Sequence, residues 1–212
     1  MKIRSFTFNE FEENTYILYD ETGACAIVDP GCNTRSEQND LVRFIEENQL
    51  KPELLLNTHC HIDHVFGNRF VADTYNLSLT ANEKETDVLN SASAVAMMYQ
   101  MNYEPSREIQ TFLYHDDKIR FGDTTLKVIF TPGHSPGSIS FYCEATGIVI
   151  AGDVLFLNSI GRTDLPGGDY DVLIHSIRTQ LFTLPDGTKV FPGHGNSTSI
   201  GFEKQFNPFF QK

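Results

Sequence analysis

The chain has no tryptophan and only four cysteines in 212 residues. Those cysteines (Cys25, Cys32, Cys60 and Cys143) show no CxxC pair, which excludes a cysteine-based zinc or dithiol motif. No apolar run approaches the roughly 18 residues that cross a bilayer. Met1 to Phe11 mixes charged and apolar residues and contains no signal-peptide core. With no export signal, the cysteines are expected to be reduced and mainly structural, and the protein cytoplasmic with no membrane partner. Basic residues are scarce: 16 Lys+Arg stand against 28 Asp+Glu, a formal charge of −12. That excess repels phosphate backbones, so no nucleic-acid partner is expected and a nuclease role is disfavoured. Flexible linkers, low-complexity tracts and internal repeats are missing too. With 40% hydrophobic residues, the chain reads as a single domain over 1–212.

What the chain does have is histidine at the ends of apolar runs. Thr58-His59-Cys60-His61-Ile62-Asp63-His64 follows Leu54-Leu55-Leu56 and gathers three imidazoles and a carboxylate within six positions. His59 and His61 share a side only if the chain is extended there. Asp63 and His64, being adjacent, need a turn to reach one centre. A strand end feeding a helix start supplies both geometries. Imidazole and carboxylate suit Zn, with Fe and Mn as alternatives. Cys60 lies between two of these residues, and alternation turns its thiol toward the core.

Three further segments repeat the pattern of apolar strand, glycine turn and one donor. His134 follows Leu126 to Phe130 in Thr131-Pro132-Gly133-His134-Ser135-Pro136-Gly137. Asp153 ends Ile148-Val149-Ile150-Ala151-Gly152-Asp153, and His194 ends Val190-Phe191-Pro192-Gly193-His194. Five His and two Asp exceed what one tetrahedral ion accepts, so the count favours two metals. His115 and His175 lack such spacing and read as surface residues.

Together, THCHIDH, TPGHSPGS, AGDVLF and FPGHG resemble the metallo-β-lactamase superfamily, and within it short, single-domain, glyoxalase II-like thioester hydrolases. The resemblance spans most of the chain, from Val28-Asp29-Pro30-Gly31 to His194. It implies an α/β fold, the four-layer αβ/βα metallo-β-lactamase sandwich. It also implies two divalent metal ions, with Zn favoured over Fe or Mn. His59, His61 and His134 would hold the first and Asp63, His64 and His194 the second, with Asp153 bridging. Asp29 would orient ligands from behind, or simply close an Asx turn. The implied activity is hydrolysis of a small acyl thioester such as S-lactoylglutathione by a metal-bridging hydroxide, with Asp63 steering its proton. A thiol leaves as thiolate without a strong acid, and the motifs offer no spare His or carboxylate to act as one.

The segment Ser159 to Asp169 resembles the corresponding loop of the same short hydrolases. Its Gly161-Arg162-Thr163-Asp164 core also occurs in mononuclear iron persulfide dioxygenases, the alternative activity. There Phe-Gln follows, whereas this chain has Leu165-Pro166. Arg162 either anchors the loop by an ion pair or meets an anionic substrate. A lactonase or other esterase of the superfamily is the remaining alternative. Glyoxalase II enzymes also carry a helical glutathione-binding domain after the last histidine; only 18 residues follow His194, with aromatics expected to pack on the core.

Periodicity predicts strands at 2–8, 14–20, 24–29, 54–56, 117–121, 124–130, 138–143, 147–151 and 188–191. Helices are expected at 36–49, from Asp63 to Tyr75, and from an Asp169 N-cap to Leu181. Residues 86–116 hold three of the four methionines and read as a helical lid or a packed helix, with Met98 and Tyr99 as substrate-contact candidates. The pattern leaves oligomeric state open.

Overall fold

The computed structural model describes residues 1–211. One sheet takes β1 (Lys2–Phe8), β2 (Glu13–Tyr19), β3 (Ala24–Val28), β4 (Lys51–Leu56), β5 (Leu79–Ala81) and β6 (Thr111–Phe112) in that spatial order. β1 to β3 form an antiparallel meander, and β3 to β6 run parallel. Parallel neighbours need crossovers. α1 (Arg35–Glu47), α2 (Ile62–Val65) with α3 (Asn68–Tyr75), and α4 (Thr86–Met98) supply them in turn.

The other sheet contains β7 (Lys118–Phe121), β8 (Thr124–Phe130), β9 (Ile139–Cys143) and β10 (Ile148–Gly152). A hairpin of β11 (Leu155–Phe156) and β12 (Ser159–Ile160) follows, then α5 (Tyr170–Thr179), β13 (Lys189–Pro192), β14 (Thr198–Ser199) and α6 (Ile200–Phe206). Its spatial order is β14-β13-β10-β9-β8-β7, with only β10 and β13 parallel.

Alternation along the strands produces the layers. In β2, Ile17 joins Leu41, Ile45, Val71 and Leu89 of the helices, while Leu18 turns to the opposite face. There it meets Phe121, Val128, Phe141 and Ile150 of the second sheet. In that sheet the next residues along, Ile129, Tyr142 and Val149, face outward onto Leu173, Ile177 and Ile200. Three apolar interfaces thus separate four layers, helices–sheet–sheet–helices, as the αβ/βα expectation requires.

Helix ends follow local chemistry. Thr34 and Glu37 form a reciprocal capping box at the start of α1. Asp169 caps α5 by accepting from the Val172 amide. α5 ends at Thr179, short of the expected Leu181, which lies instead in a 3-10 turn over Leu181–Thr183. The single helix expected from Asp63 to Tyr75 is two helices broken at Phe66-Gly67. The Gly67 amide donates to the Pro30 carbonyl at 2.7 Å, and a Cβ on Gly67 would lie 2.4 Å from Cys32 Sγ. Docking on the Asp29–Gly31 turn therefore interrupts the helix. The tail is only partly packed: Phe210 meets Phe182 at 4.7 Å. In α6, Ile200 and Glu203 take the inward positions, which leaves Phe202 and Phe206 exposed, as is Phe209. Among the described residues, no helix is long and apolar enough to cross a membrane.

Asp20, just after β2, joins the two sheets at the end that carries the β2–β3 turn. Its carboxylate accepts from the Thr22 amide at 2.9 Å, the Asp123 amide at 2.8 Å and Thr124 Oγ1 at 2.9 Å. Burial opposes ionisation, but these bonds and that from Thr22 Oγ1 outweigh it and hold the carboxyl at about 2. Asp20→Ala should cost about 1 kcal/mol at neutral pH in urea denaturation, the group being largely solvated. Because the folded value lies below the unfolded one of about 3.9, the wild-type advantage is complete above about pH 4. It should fade as pH falls toward 2.

Candidate metal centre

The seven donors collect at one end of the sandwich because each follows a strand or opens a helix there. His59 and His61 lie in the loop after β4, and Asp63 and His64 sit in α2. His134, Asp153 and His194 follow β8, β10 and β13. Donor atoms of His59, His61 and His134 lie within 4.8 Å of one another, as do those of Asp63, His64 and His194. Asp153 stands between the two groups: its Oδ2 is 3.6 Å from His134 Nε2 and 3.5 Å from His194 Nε2.

The outer nitrogens determine what the inner ones present. His134 Nδ1 lies 2.8 Å from the Arg162 carbonyl, and His194 Nδ1 lies 3.0 Å from that of Phe11. A carbonyl only accepts, so each Nδ1 carries the proton and each Nε2 presents a lone pair. Thr58 Oγ1 donates to Asp29 at 2.6 Å and so accepts from His59 Nδ1 at 3.1 Å. His64 Nδ1 faces Asp29 Oδ2 at 3.2 Å. In their neutral forms His59, His134 and His194 therefore turn a lone pair inward, while His64 Nδ1 faces Asp29 without a hydrogen bond. His134 Nε2 meets His59 Nε2 at 3.2 Å and His61 Nδ1 at 2.9 Å. Two nitrogens on a tetrahedral zinc lie about 3.3 Å apart, given Zn–N bonds near 2.05 Å. Facing lone pairs repel unless a cation lies between them. His64 Nε2 and Asp153 Oδ1 are buried with no hydrogen-bond partner, although they lie 3.5 Å apart. These His and Asp clusters fit divalent metal ions.

Burial keeps the three-histidine group neutral, the ligating form. It pushes His59 well below the usual imidazole range with help from neighbouring rings, takes His61 down to about 3 and also lowers His134. In the other group burial is outweighed. Asp63 and Asp153 raise His64, and the Asp63 contact at 3.0 Å raises His194. Asp63 in turn is held below the carboxylate range by His64 and His194, despite burial.

The backbone leaves room for this packing. A Cβ on Gly193 would fall 2.1 Å from Asp153 Oδ1 and 2.7 Å from His64 Cε1. Asp29 lies in the left-handed region (φ +49°) and faces His64, but its carboxylate accepts from Asn57 and Thr58 while the Gly31 amide donates to Thr15 Oγ1, so no Asx turn forms. Arg162 forms two 2.7 Å bonds to Asp164, while its carbonyl supports His134. Tyr99 lines the cleft over the cluster and meets Phe11 edge-on at 5.8 Å. Met98 is not brought there: one position earlier on α4, its side chain is 81% exposed and lies off the cleft wall. His115 and His175 are exposed, and Cys60 is buried in the helix-side core.

Two buried glutamates were not anticipated from sequence. Glu85, just before α4, accepts from the Cys60 amide at 2.7 Å, Ser135 Oγ at 2.5 Å and the Gly137 amide at 2.7 Å. It thereby binds the His59–His61 loop to the His134 loop. Burial raises its carboxyl, partly offset by those three donors. Glu13 lies behind His64, its Oε1 3.9 Å from Nδ1. Burial, opposed by His64, pushes its carboxyl well above the usual range. The signal available for Glu13 was the polar run Glu13-Asn14-Thr15 opening an otherwise apolar strand.

Residues 9–194 match the sequence profile described as the metallo-beta-lactamase superfamily. A hydroxyacylglutathione hydrolase, GloC of Haemophilus influenzae, is 34% identical over 99% of this chain and 98% of its own length. Among solved structures, the BLEG-1 B3 metallo-beta-lactamase superposes with a TM-score of 0.91 at 33% identity, covering all of both chains. TTHA1623 in a di-iron-bound form gives 0.87 at 31% identity, covering 97% of this chain and 99% of that one.

Replacing Glu85 tests the brace between the loops. Glu85→Ala leaves two buried amides without acceptors and should cost about 2–4 kcal/mol in urea denaturation. Metal retained after dialysis, read by elemental analysis, should show affinity weakened about 10–100-fold. A variant that keeps wild-type metal content and stability would remove Glu85 from the site.

Proposed function

The chain belongs to the metallo-beta-lactamase superfamily of metallohydrolases, and on that premise we propose that it hydrolyses small acyl thioesters such as S-lactoylglutathione at a dinuclear centre. The observation that carries this reading is the pair of donor groups joined through Asp153, in a cleft with no histidine outside them. His59, His61 and His134 would hold one divalent cation and Asp63, His64 and His194 the other, Asp153 serving both. Zinc suits the donors best, with iron or manganese as alternatives. When bound, the cations supply a water acidified to near neutral pH and polarise the substrate carbonyl.

The protein's own groups do the rest. Asp63, held ionised beside His64 and His194, is positioned to take the proton of the attacking water. Asp29, Thr58 and the carbonyls of Phe11 and Arg162 fix ring orientation and tautomer from behind. The cleft has no free imidazole to protonate a leaving group. A thiol, with pKa near 8.5, departs as thiolate without such help. An amine does not, which disfavours amides, including the β-lactams suggested by the BLEG-1 relationship. The four free, buried cysteines support the reducing, cytoplasmic setting expected from sequence.

The Gly161–Asp164 core supports a second reading, a persulfide dioxygenase using one iron at the three-histidine group. Elemental analysis of protein purified without added metal, paired with S-lactoylglutathione hydrolysis, separates the two. Two equivalents of metal with turnover are expected. One equivalent of iron, no hydrolysis and oxygen uptake with a persulfide would replace the hydrolase reading. Asp63→Asn should lower kcat by about 10²-fold or more. Lactone and β-lactam turnover on the same sample tests the remaining carbonyl substrates.

A further inference from the structure

The cleft above the donors has a volume of about 970 Å³ and a mainly apolar wall. One side is α4, where Val88, Val95 and Tyr99 repeat at helical spacing along the cleft. The wall continues through Phe11, which meets Tyr99, the Phe156-Leu157 hairpin and Leu165. Several are left open to water: Tyr99 is 56% exposed, Leu157 40% and Phe11 36%. Exposed aromatics and leucine continuous with a cluster of ligating side chains mark a wall waiting for an apolar ligand.

Charge on the same wall narrows the ligand further. Among the described lining residues, Arg162 is the one Lys or Arg, and its guanidinium is turned onto Asp164 through two bonds. Asp87 adds a carboxylate on α4. A glutathione thioester would bring two carboxylates into this cleft against a single side-chain cation that already faces Asp164. Glu85, and Asn82 at the start of the 3-10 turn Glu83–Glu85, whose Nδ2 donates to the Leu113 carbonyl at 2.7 Å, anchor the segment leading into α4, so the wall is built into the fold.

We propose that the cleft selects thioesters whose acyl group is a neutral apolar chain, lying between α4 and the Phe156-Leu157 hairpin, on a small uncharged thiol, in preference to glutathione thioesters. This rests on the thioester reading of the site, and its test is separable from that reading. S-butyl- and S-hexyl-N-acetylcysteamine are thioethers that bind without being hydrolysed; S-hexylglutathione carries the same chain on an anionic thiol.

Calorimetric titration of the metal-loaded protein should show S-hexyl-N-acetylcysteamine binding about ten-fold tighter than the S-butyl compound, since each buried methylene is worth roughly three- to four-fold. It should also bind several-fold tighter than S-hexylglutathione. Val95→Asp and Tyr99→Ala should each flatten the chain-length dependence while metal content stays at the wild-type level. Butanoyl and hexanoyl thioesters of N-acetylcysteamine should show the same order in kcat/KM and exceed S-lactoylglutathione. Equal affinity across chain lengths, or tighter binding of S-hexylglutathione, would overturn the proposal. Graded thioether binding without turnover of any thioester would leave the cleft's selectivity standing and remove the hydrolase reading.

Discussion

Ligating nitrogens and oxygens crowded into one buried place are the constraint on which the rest of this structure depends. His59, His134 and His61 bring nitrogens to 2.9 and 3.2 Å, and Asp153 and Asp63 add carboxylate oxygens between 3.0 and 3.6 Å from further rings. Uncompensated, such an array in a buried place costs several kcal/mol. A fold holds it only if other contacts over-determine every member. Here His59, His134 and His194 each have an acceptor hydrogen-bonded behind them and His64 faces Asp29, and those partners come from different parts of the chain. The arrangement makes sense once cations occupy the convergence, and metal binding then contributes folding free energy as well as chemistry.

The two sheets solve this placement problem together. One sheet delivers the His59–His64 run after β4, and the other delivers His134, Asp153 and His194 after β8, β10 and β13. The interface between them is a continuous apolar layer including Leu18, Val28, Leu56, Val128, Phe141 and Ile150. Because interiors pack near crystal density, that layer fixes the relative position of the strand ends closely. Further ties cross near the site: Tyr16 OH donates to the Pro192 carbonyl at 2.6 Å, and Asn14 Nδ2 to that of Gly195 at 2.9 Å. The donors sit on loops, but the loops are clamped by rigid elements on both sides.

Much of this was legible in the chain. The alternation of Ile17 with Leu18, or Phe141 with Tyr142, encodes which layer each residue enters. The donor motifs were readable because ligand chemistry tolerates few residue types at fixed spacing. The supports were not. Phe11 and Arg162 act through backbone carbonyls, which every residue has, so their side chains carry no signal. Glu85 reads as a surface residue of a polar turn, and only the packing of α4 against two distant loops makes it a buried acceptor. The break at Gly67 was hidden because its cause, the Pro30 carbonyl, lies on a different segment. Met98 and Tyr99 are adjacent in sequence, and helix phase alone decides which of them meets the cleft.

The distribution of charge separates two tasks in one cavity. The polar donors lie at the floor, largely buried, while the walls are apolar and the protein's acidic excess lies mostly at its surface. A low-dielectric wall strengthens electrostatic interactions at the floor and limits competing water. The same wall gives binding by area and shape, which is insensitive to what the floor does chemically. Changes along α4 or the β11–β12 hairpin can therefore alter which ligand is accepted without moving a donor. Changes at Asp29 or Thr58 act in the opposite sense, disturbing the floor while leaving the wall in place, whereas Glu85 braces both. The floor thus governs the chemistry the site can support, and the wall governs the molecule that reaches it.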